Sequence, residues 1–380
     1  MMKGLCVYVD GGKGHYVPAK AVTEALCDMG VETHLEEFFS YLDTKWVGKI
    51  NKFYWRQMLR MPDLERKLSK HNDADSNGME LAVSVARKCC LKRLLHNLDS
   101  FRPDFIFTTH PYASTILPEM LYSASIDIPV YYFATDVFSA PVATICDKLR
   151  RFYISTEEGR ARVIKMGQAP ETVVLSPFPL QKSVAEGERL SKEDARKKVG
   201  LDPSLFTLQL NLGGEGIGSL SLLKNLLREN RRMQIAILGG LDKKALSHIH
   251  EVIDQTHASD TKVYVPGFVN NVNEYLLASD IVAGRAGINT IVEAMYAHRP
   301  FLITELVYTV LPSAEYIVSH KVGWNASDKP EEALSIVLNA LDNPAVLGEM
   351  EKNFNSVPIE YSAEKLASMI VSDAASLKRS

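Results

Sequence analysis

Long apolar runs are missing from this 380-residue chain. No stretch reaches the roughly 18 consecutive apolar residues that a membrane-spanning helix needs, which excludes a helical span. Cysteine is scarce: Cys6, Cys27, Cys89, Cys90 and Cys146 are odd in number and follow no metal-ligand spacing. They read as reduced thiols of a cytosolic protein rather than a disulfide framework. Excess charge is missing too. The formal net charge is −3, so no basic field invites nucleic acid as a partner. No DxD-type metal motif stands out, so neither an obligatory metal nor another cofactor is expected. The chain enters a strand pattern at once, so no leader peptide is expected. What remains is ordinary globular composition, 46% hydrophobic and 23% charged, over a length that suits two or three domains.

Short apolar runs alternate with helical patterns through the first half. LCVYV (Leu5 to Val9) is a strand, and DGGKGHYVPA leads into a helix over Pro18 to Met29. The glycine turn between them has neither GxGxxG nor GxxxxGK followed by Ser or Thr. It places His15 at the mouth of the helix instead. VETHLEEF (Val31 to Phe38) is a second strand, and a long helical stretch runs from Trp46 to about Leu98 with an interruption at His71 to Gly78. DFIFTT, PVYYFATD, RFYIST and VVLSPFPL (Val173 to Leu180) are further strands. DFIFTT (Asp104 to Thr109) and PVYYFATD (Pro129 to Asp136) end in polar residues, where a sheet edge carries a site.

Residues 181–201 are polar and read as a connection plus a small helix. The pattern then restarts with TLQLNLGGEGIGS, QIAILGG, KVYVPGF, SDIVAGRAG and PFLITE. Two Rossmann-like halves facing a cleft are therefore expected, at 1–180 and 181–362, with a last helix at 363–377 packing back on the first.

Two glycine-rich helix starts lie in the second half. In GGEGIGS, Gly214 and Gly216 let backbone N–H groups approach a ligand closely. In RAGINTIVEA, Ala286 and Gly287 make the turn, Arg285 adds positive charge, and Asn289 and Thr290 cap the helix or touch phosphate. Glu293, one turn deeper, suits a ribose hydroxyl. The bland alternative is a capped helix with Thr290 and Glu293 as a capping box. Gly267 and Phe268 end a strand, where they meet the edge of a base or simply turn the chain. His110, in HPY, either lines a site or belongs to a turn.

GGKGHYVPAKAV, KFYWRQML, Thr135–Asp136, NLGGEGIGS and VPGFVNNVNEYLLASDIVAGRAGINTIVEA together resemble the diacylglycerol glycosyltransferases. This is the monogalactosyl- and glucosyl-diacylglycerol synthase family, related to the N-acetylglucosaminyltransferase of peptidoglycan synthesis. The resemblance implies an α/β protein of GT-B architecture, with an acceptor site in the first domain and a UDP-sugar site in the second. It makes His15 the base, Phe268 a contact to uracil, Gly287 and Thr290 contacts to diphosphate, and Glu293 the ribose contact. Asp136 is the carboxylate expected to orient His15. Glu315, in the sugar-reading loop LPSAEYIVSH, is the expected sugar contact. The chain departs from the family at Lys13 within the glycine turn, at TDVFSAPVAT, which lacks a histidine, at Ala314, and at His298, where glycine is usual.

A histidine base and two helix N-termini suit an inverting displacement on a UDP-sugar without a metal. A transferase or epimerase for another substrate pair, and a non-catalytic UDP-binding scaffold, are the alternatives. Lys45, Lys49, Lys52, Arg56 and Arg60 form one helical stripe beside Trp46, Ile50, Phe53, Tyr54, Met58 and Met61. That pattern suits a helix lying on an anionic membrane surface, and equally an ordinary amphipathic helix packed on its own domain. The first reading gives a cytoplasmic protein held peripherally at the membrane, within reach of a lipid acceptor.

Overall fold

The computed structural model describes residues 1–9, 13–41, 61, 67, 77–185, 187–212, 217–239, 243–267, 269–306 and 308–378. The chain divides into two compact units, Met1–Ala185 with Ile359–Ser380, and Glu186–Pro358.

Unit 1 runs β1 (Lys3–Tyr8), α1 (Lys13–Asp28), β2 (Glu32–Glu37), α2 (Asn77–Phe101), β3 (Phe105–Thr108), α3 (Pro111–Ser123), β4 (Val130–Phe133), β5 (Arg151–Ile154), α4 (Glu157–Lys165) and β6 (Val173–Leu175). Its six strands pair in the order β2-β1-β3-β4-β5-β6, all parallel. Every residue of β3 and β4 is buried, as in central parallel strands covered on both faces, whereas β2 at the edge is partly exposed. Leu5, Val7, Ile106, Tyr132 and Phe152 carry the core against Leu94, Leu98, Leu117 and Met120 of the helices.

VVLSPFPL is a strand only as far as Leu175. Pro177 and Pro179 have no amide hydrogen for a ladder, so pairing stops. Phe178 then donates its N–H to the Glu360 carbonyl at 2.8 Å and bridges Tyr361. This leads into the last helix, α13 (Ala363–Leu377), which packs on α1 within unit 1. Asp373 on α13 accepts from Tyr131 Oη at 2.8 Å, Arg150 Nε at 2.7 Å and Arg151 Nη2 at 2.8 Å. The cationic stripe from Lys45 to Arg60 lies outside the described residues.

Unit 2 runs α5 (Lys192–Lys198), β7 (Thr207–Asn211), α6 (Ile217–Glu229), β8 (Met233–Leu238), α7 (Lys243–Thr256), β9 (Thr261–Gly267), α8 (Val272–Ala278), β10 (Ile281–Arg285), α9 (Ile288–Tyr296), β11 (Phe301–Glu305), α10 (Leu311–Ser319), β12 (Gly323–Asn325), α11 (Pro330–Asp342) and α12 (Ala345–Asn353). Its parallel strands pair in the order β12-β11-β10-β7-β8-β9. This is the doubly wound dinucleotide-domain order, counted from β7. No helix among the described residues is long and apolar enough to cross a membrane.

Candidate active site

In an open parallel sheet, ligands bind beyond the carboxyl ends of the strands, where the strand order reverses. That point lies between β1 and β3 in unit 1 and between β7 and β10 in unit 2.

His15 leaves β1 as the third residue of α1, and Thr109 and His110 leave β3 beside it. The Thr109 hydroxyl donates to the His15 carbonyl at 2.7 Å. The His15 Nδ1–H donates to the Thr109 carbonyl at 2.9 Å, with the Thr135 hydroxyl oxygen 3.1 Å away. A carbonyl only accepts, so the ring proton sits on Nδ1 and the Nε2 lone pair is left for chemistry. Burial holds His15 down at about 4, partly opposed by the Thr109 bond, so the ring is neutral at pH 7. Its edge meets the ring of His110, with centroids 4.6 Å apart. His110 is the N-cap of α3, its Nδ1 accepting from the Tyr112 N–H at 3.2 Å.

Asp136 lies in the turn after β4 but forms no hydrogen bond or ion pair with His15. The partners that orient the ring are Thr109 and Thr135, a correction to the expected carboxylate. Burial pushes the Asp136 carboxyl up to about 7. Its turn is pinned from α4. Thr156 donates to the Val137 carbonyl and caps the Gly159 N–H at 3.0 Å. A Cβ on Gly159 would lie 2.3 Å from that carbonyl oxygen, so only glycine lets α4 start this close.

In unit 2, Gly214, Gly216 and Phe268 lie outside the described residues. The other expected residues gather after β9 and β10. Gly267 ends β9 in the left-handed region, at φ 77°. Arg285 closes β10, and Ala286 and Gly287 lead into α9. Gly287 is the N-cap and no side chain caps the helix, so the Thr290–Glu293 capping box is not formed. Asn289 and Thr290 sit in the first turn, with Glu293 one turn on. The Arg285 guanidinium is paired: Nε and Nη2 reach Glu305 Oε2 at 3.0 and 2.7 Å. The other Glu305 oxygen accepts from the Ser219 N–H at 3.3 Å, in the first turn of α6. A side-chain carboxylate thus stands where a helix N-terminus attracts anions. Glu305 carried no signal in the sequence beyond ending a strand.

The supposed loop LPSAEYIVSH is α10, which begins with Leu311 and Pro312 as Pro suits a first helical turn. Glu315 is exposed on this helix, and Ala314 beside it is buried. His298 follows α9 at φ 53°, the left-handed position that glycine favours after a helix, and it stacks on Phe354. The literal Asp-x-Asp of the chain, Asp73 to Asp75, lies outside the described residues.

Comparison with known proteins agrees in both units. The profile described as "Monogalactosyldiacylglycerol (MGDG) synthase" matches residues 15–179. That of the "Glycosyltransferase family 28 C-terminal domain" matches 223–366. A processive diacylglycerol beta-glucosyltransferase of Staphylococcus epidermidis is 23% identical over 279 residues, 73% of this chain and 69% of that protein. One from Bacillus pumilus is 23% identical over 374 residues, 97% of this chain and 94% of that protein. Among solved structures, Acinetobacter baumannii MurG superposes with TM-score 0.65 at 13% identity, over 98% of this chain and 100% of that one. The UDP-GlcNAc 2-epimerase of Neisseria meningitidis, bound to UDP-GlcNAc, superposes with TM-score 0.61 at 10% identity, over 99% and 100%. At these identities the structures establish the fold, which transferase and epimerase share. The two profiles and the sequence relatives decide the rest: the first unit is similar to the monogalactosyldiacylglycerol synthases and the second to the C-terminal domain of glycosyltransferase family 28, and the protein is a glycosyltransferase.

Proposed function

We propose that the protein moves a hexose from a UDP-sugar to a hydroxyl group of a lipid acceptor such as diacylglycerol, inverting the anomeric carbon, with His15 as the base. The observation that carries the reading is the His15 ring itself, with Nδ1–H committed to the Thr109 carbonyl at the β1/β3 reversal. Nε2 takes the acceptor proton as the acceptor oxygen bonds to the anomeric carbon, and the bond from that carbon to the phosphate oxygen breaks to release UDP. Unit 1 is the acceptor domain in this reading, and unit 2 holds the donor. The first turns of α6 and α9 take the diphosphate charge, Glu293 takes the ribose, Gly267 and Phe268 take the base, and Glu315 takes a sugar hydroxyl. Asp136 supplies a carboxylate beside the acceptor. The 45–60 stripe holds the protein at the cytoplasmic face of an anionic membrane.

A donor and acceptor screen read by mass spectrometry tests this, with His15→Ala as the control. Loss of the base lowers turnover by about 10²–10⁴-fold while UDP affinity stays the same. A variant that transfers at the parent's rate removes His15 from the chemistry.

A further inference from the structure

The two histidines at the β1/β3 reversal differ in where their protons sit. His15 Nδ1 faces a carbonyl and is a donor. His110 Nδ1 faces the Tyr112 N–H and is an acceptor. A neutral imidazole carries one ring proton, so that of His110 is on Nε2 while Nε2 of His15 has none. Both rings are neutral at pH 7, held below the ordinary histidine value by burial. Two neighbouring rings in unit 1 thus carry a lone pair and an N–H, with centroids 4.6 Å apart. His110 is only 5% exposed, and its Nε2–H has no partner among the described residues. An N–H on a nearly buried ring, left without a protein partner beside the proposed base, is a place for a substrate oxygen.

We infer that His110 reads the acceptor: its Nε2–H donates to a second oxygen on the carbon next to the reacting hydroxyl, while that hydroxyl gives its proton to His15 Nε2. The inference rests on the acceptor reading proposed above and narrows it. The acceptor class is a hydroxyl with an oxygen on the neighbouring carbon, as in a glycerol ester or a vicinal diol, and not a simple alcohol. A site built to hydrogen-bond such an oxygen rejects the analogue that lacks it, because the buried N–H is then left unpaired. Two separate duties fall on one side chain. Nδ1 caps α3, and Nε2 selects the substrate.

The test separates those duties. Asparagine is among the best N-caps, and in His110→Asn its short amide keeps the acceptor for Tyr112 without reaching the Nε2 position. Transfer is measured with full-length protein in mixed micelles, to a diacylglycerol and to a long-chain primary alcohol with no second oxygen. The parent prefers the diacylglycerol. His110→Asn lowers kcat/KM for the diacylglycerol by about 10- to 100-fold, barely alters the alcohol, and leaves UDP affinity unchanged. Equal losses on both acceptors, or no loss on either, overturn the inference. A carba analogue carrying CH2 in place of the neighbouring oxygen tests the parent protein without any variant. Equal rates on analogue and ester-bearing acceptor also overturn it. A parent that transfers to no lipid hydroxyl with any UDP-sugar overturns the function proposed above instead.

Discussion

Asparagine at position 136 keeps the shape of the side chain and removes a carboxyl that burial holds at about 7, against an ordinary 3.8. Between those two values the folded protein keeps a proton that the unfolded chain has released. Stability from this group therefore falls as pH rises from about 4 to 7, and is level on either side. At 1.36 kcal/mol per pH unit the whole interval is about 4 kcal/mol, and partial exposure of the side chain lowers the expected gain to about 2–4 kcal/mol. Asp136→Asn is thus more stable than the parent at pH 8 and equal to it at pH 3.5. A chain of two compact units need not unfold in one step, so the readout is hydrogen exchange in peptides covering Val130–Phe133 at graded urea, which reports on unit 1. Transfer activity of the same variant falls by about 10²-fold, the pattern of a carboxylate kept at a functional edge against the interest of the fold. A variant no more stable than the parent at pH 8 would show that water reaches the carboxylate freely, and the reasoning from burial would fail.

His15 has the opposite sign. Its folded value of about 4 lies below the ordinary 6.5, so the stability of the neutral ring is complete above pH 6.5 and is lost as pH falls toward 4. His15→Gln flattens that acid-side fall by about 3 kcal/mol, seen as a Tm that changes less between pH 7 and 4.5. Glu293→Ala weakens UDP binding by about 1–3 kcal/mol in calorimetry, and unchanged affinity removes it from the ribose site. Replacing Lys49, Lys52 and Arg56 together by glutamate abolishes most sedimentation with anionic liposomes at low salt, at about 1 kcal/mol per basic residue. UDP affinity survives that change, and persistent sedimentation refutes docking through this stripe.

Local pattern alone determined much of this protein. Apolar runs of strand length placed β1, β3, β5, β7, β8 and β10 within a residue or two, because burial of a parallel strand on both faces leaves a continuous apolar signature. Glycines and polar residues after β1, β7 and β10 marked the turns where backbone must come close to a ligand. The lateral order of the strands was decided only by the tertiary structure, and with it which turns share a reversal point. Neither is written in any one segment, since packing between distant segments sets them. The same holds for side-chain partners. Thr109 and Thr135 reach His15 across 94 and 120 residues, and Glu305 reaches Arg285 from the next strand. A carboxylate adjacent in the motif, Asp136, was the natural guess for the histidine's partner, yet the turn after β4 brings the neighbouring hydroxyl to the ring instead. The 311–319 segment shows the converse limit. The family resemblance implied a loop there, but burial of Ala314, Tyr316 and Ile317 stabilises a helix that local propensity leaves open.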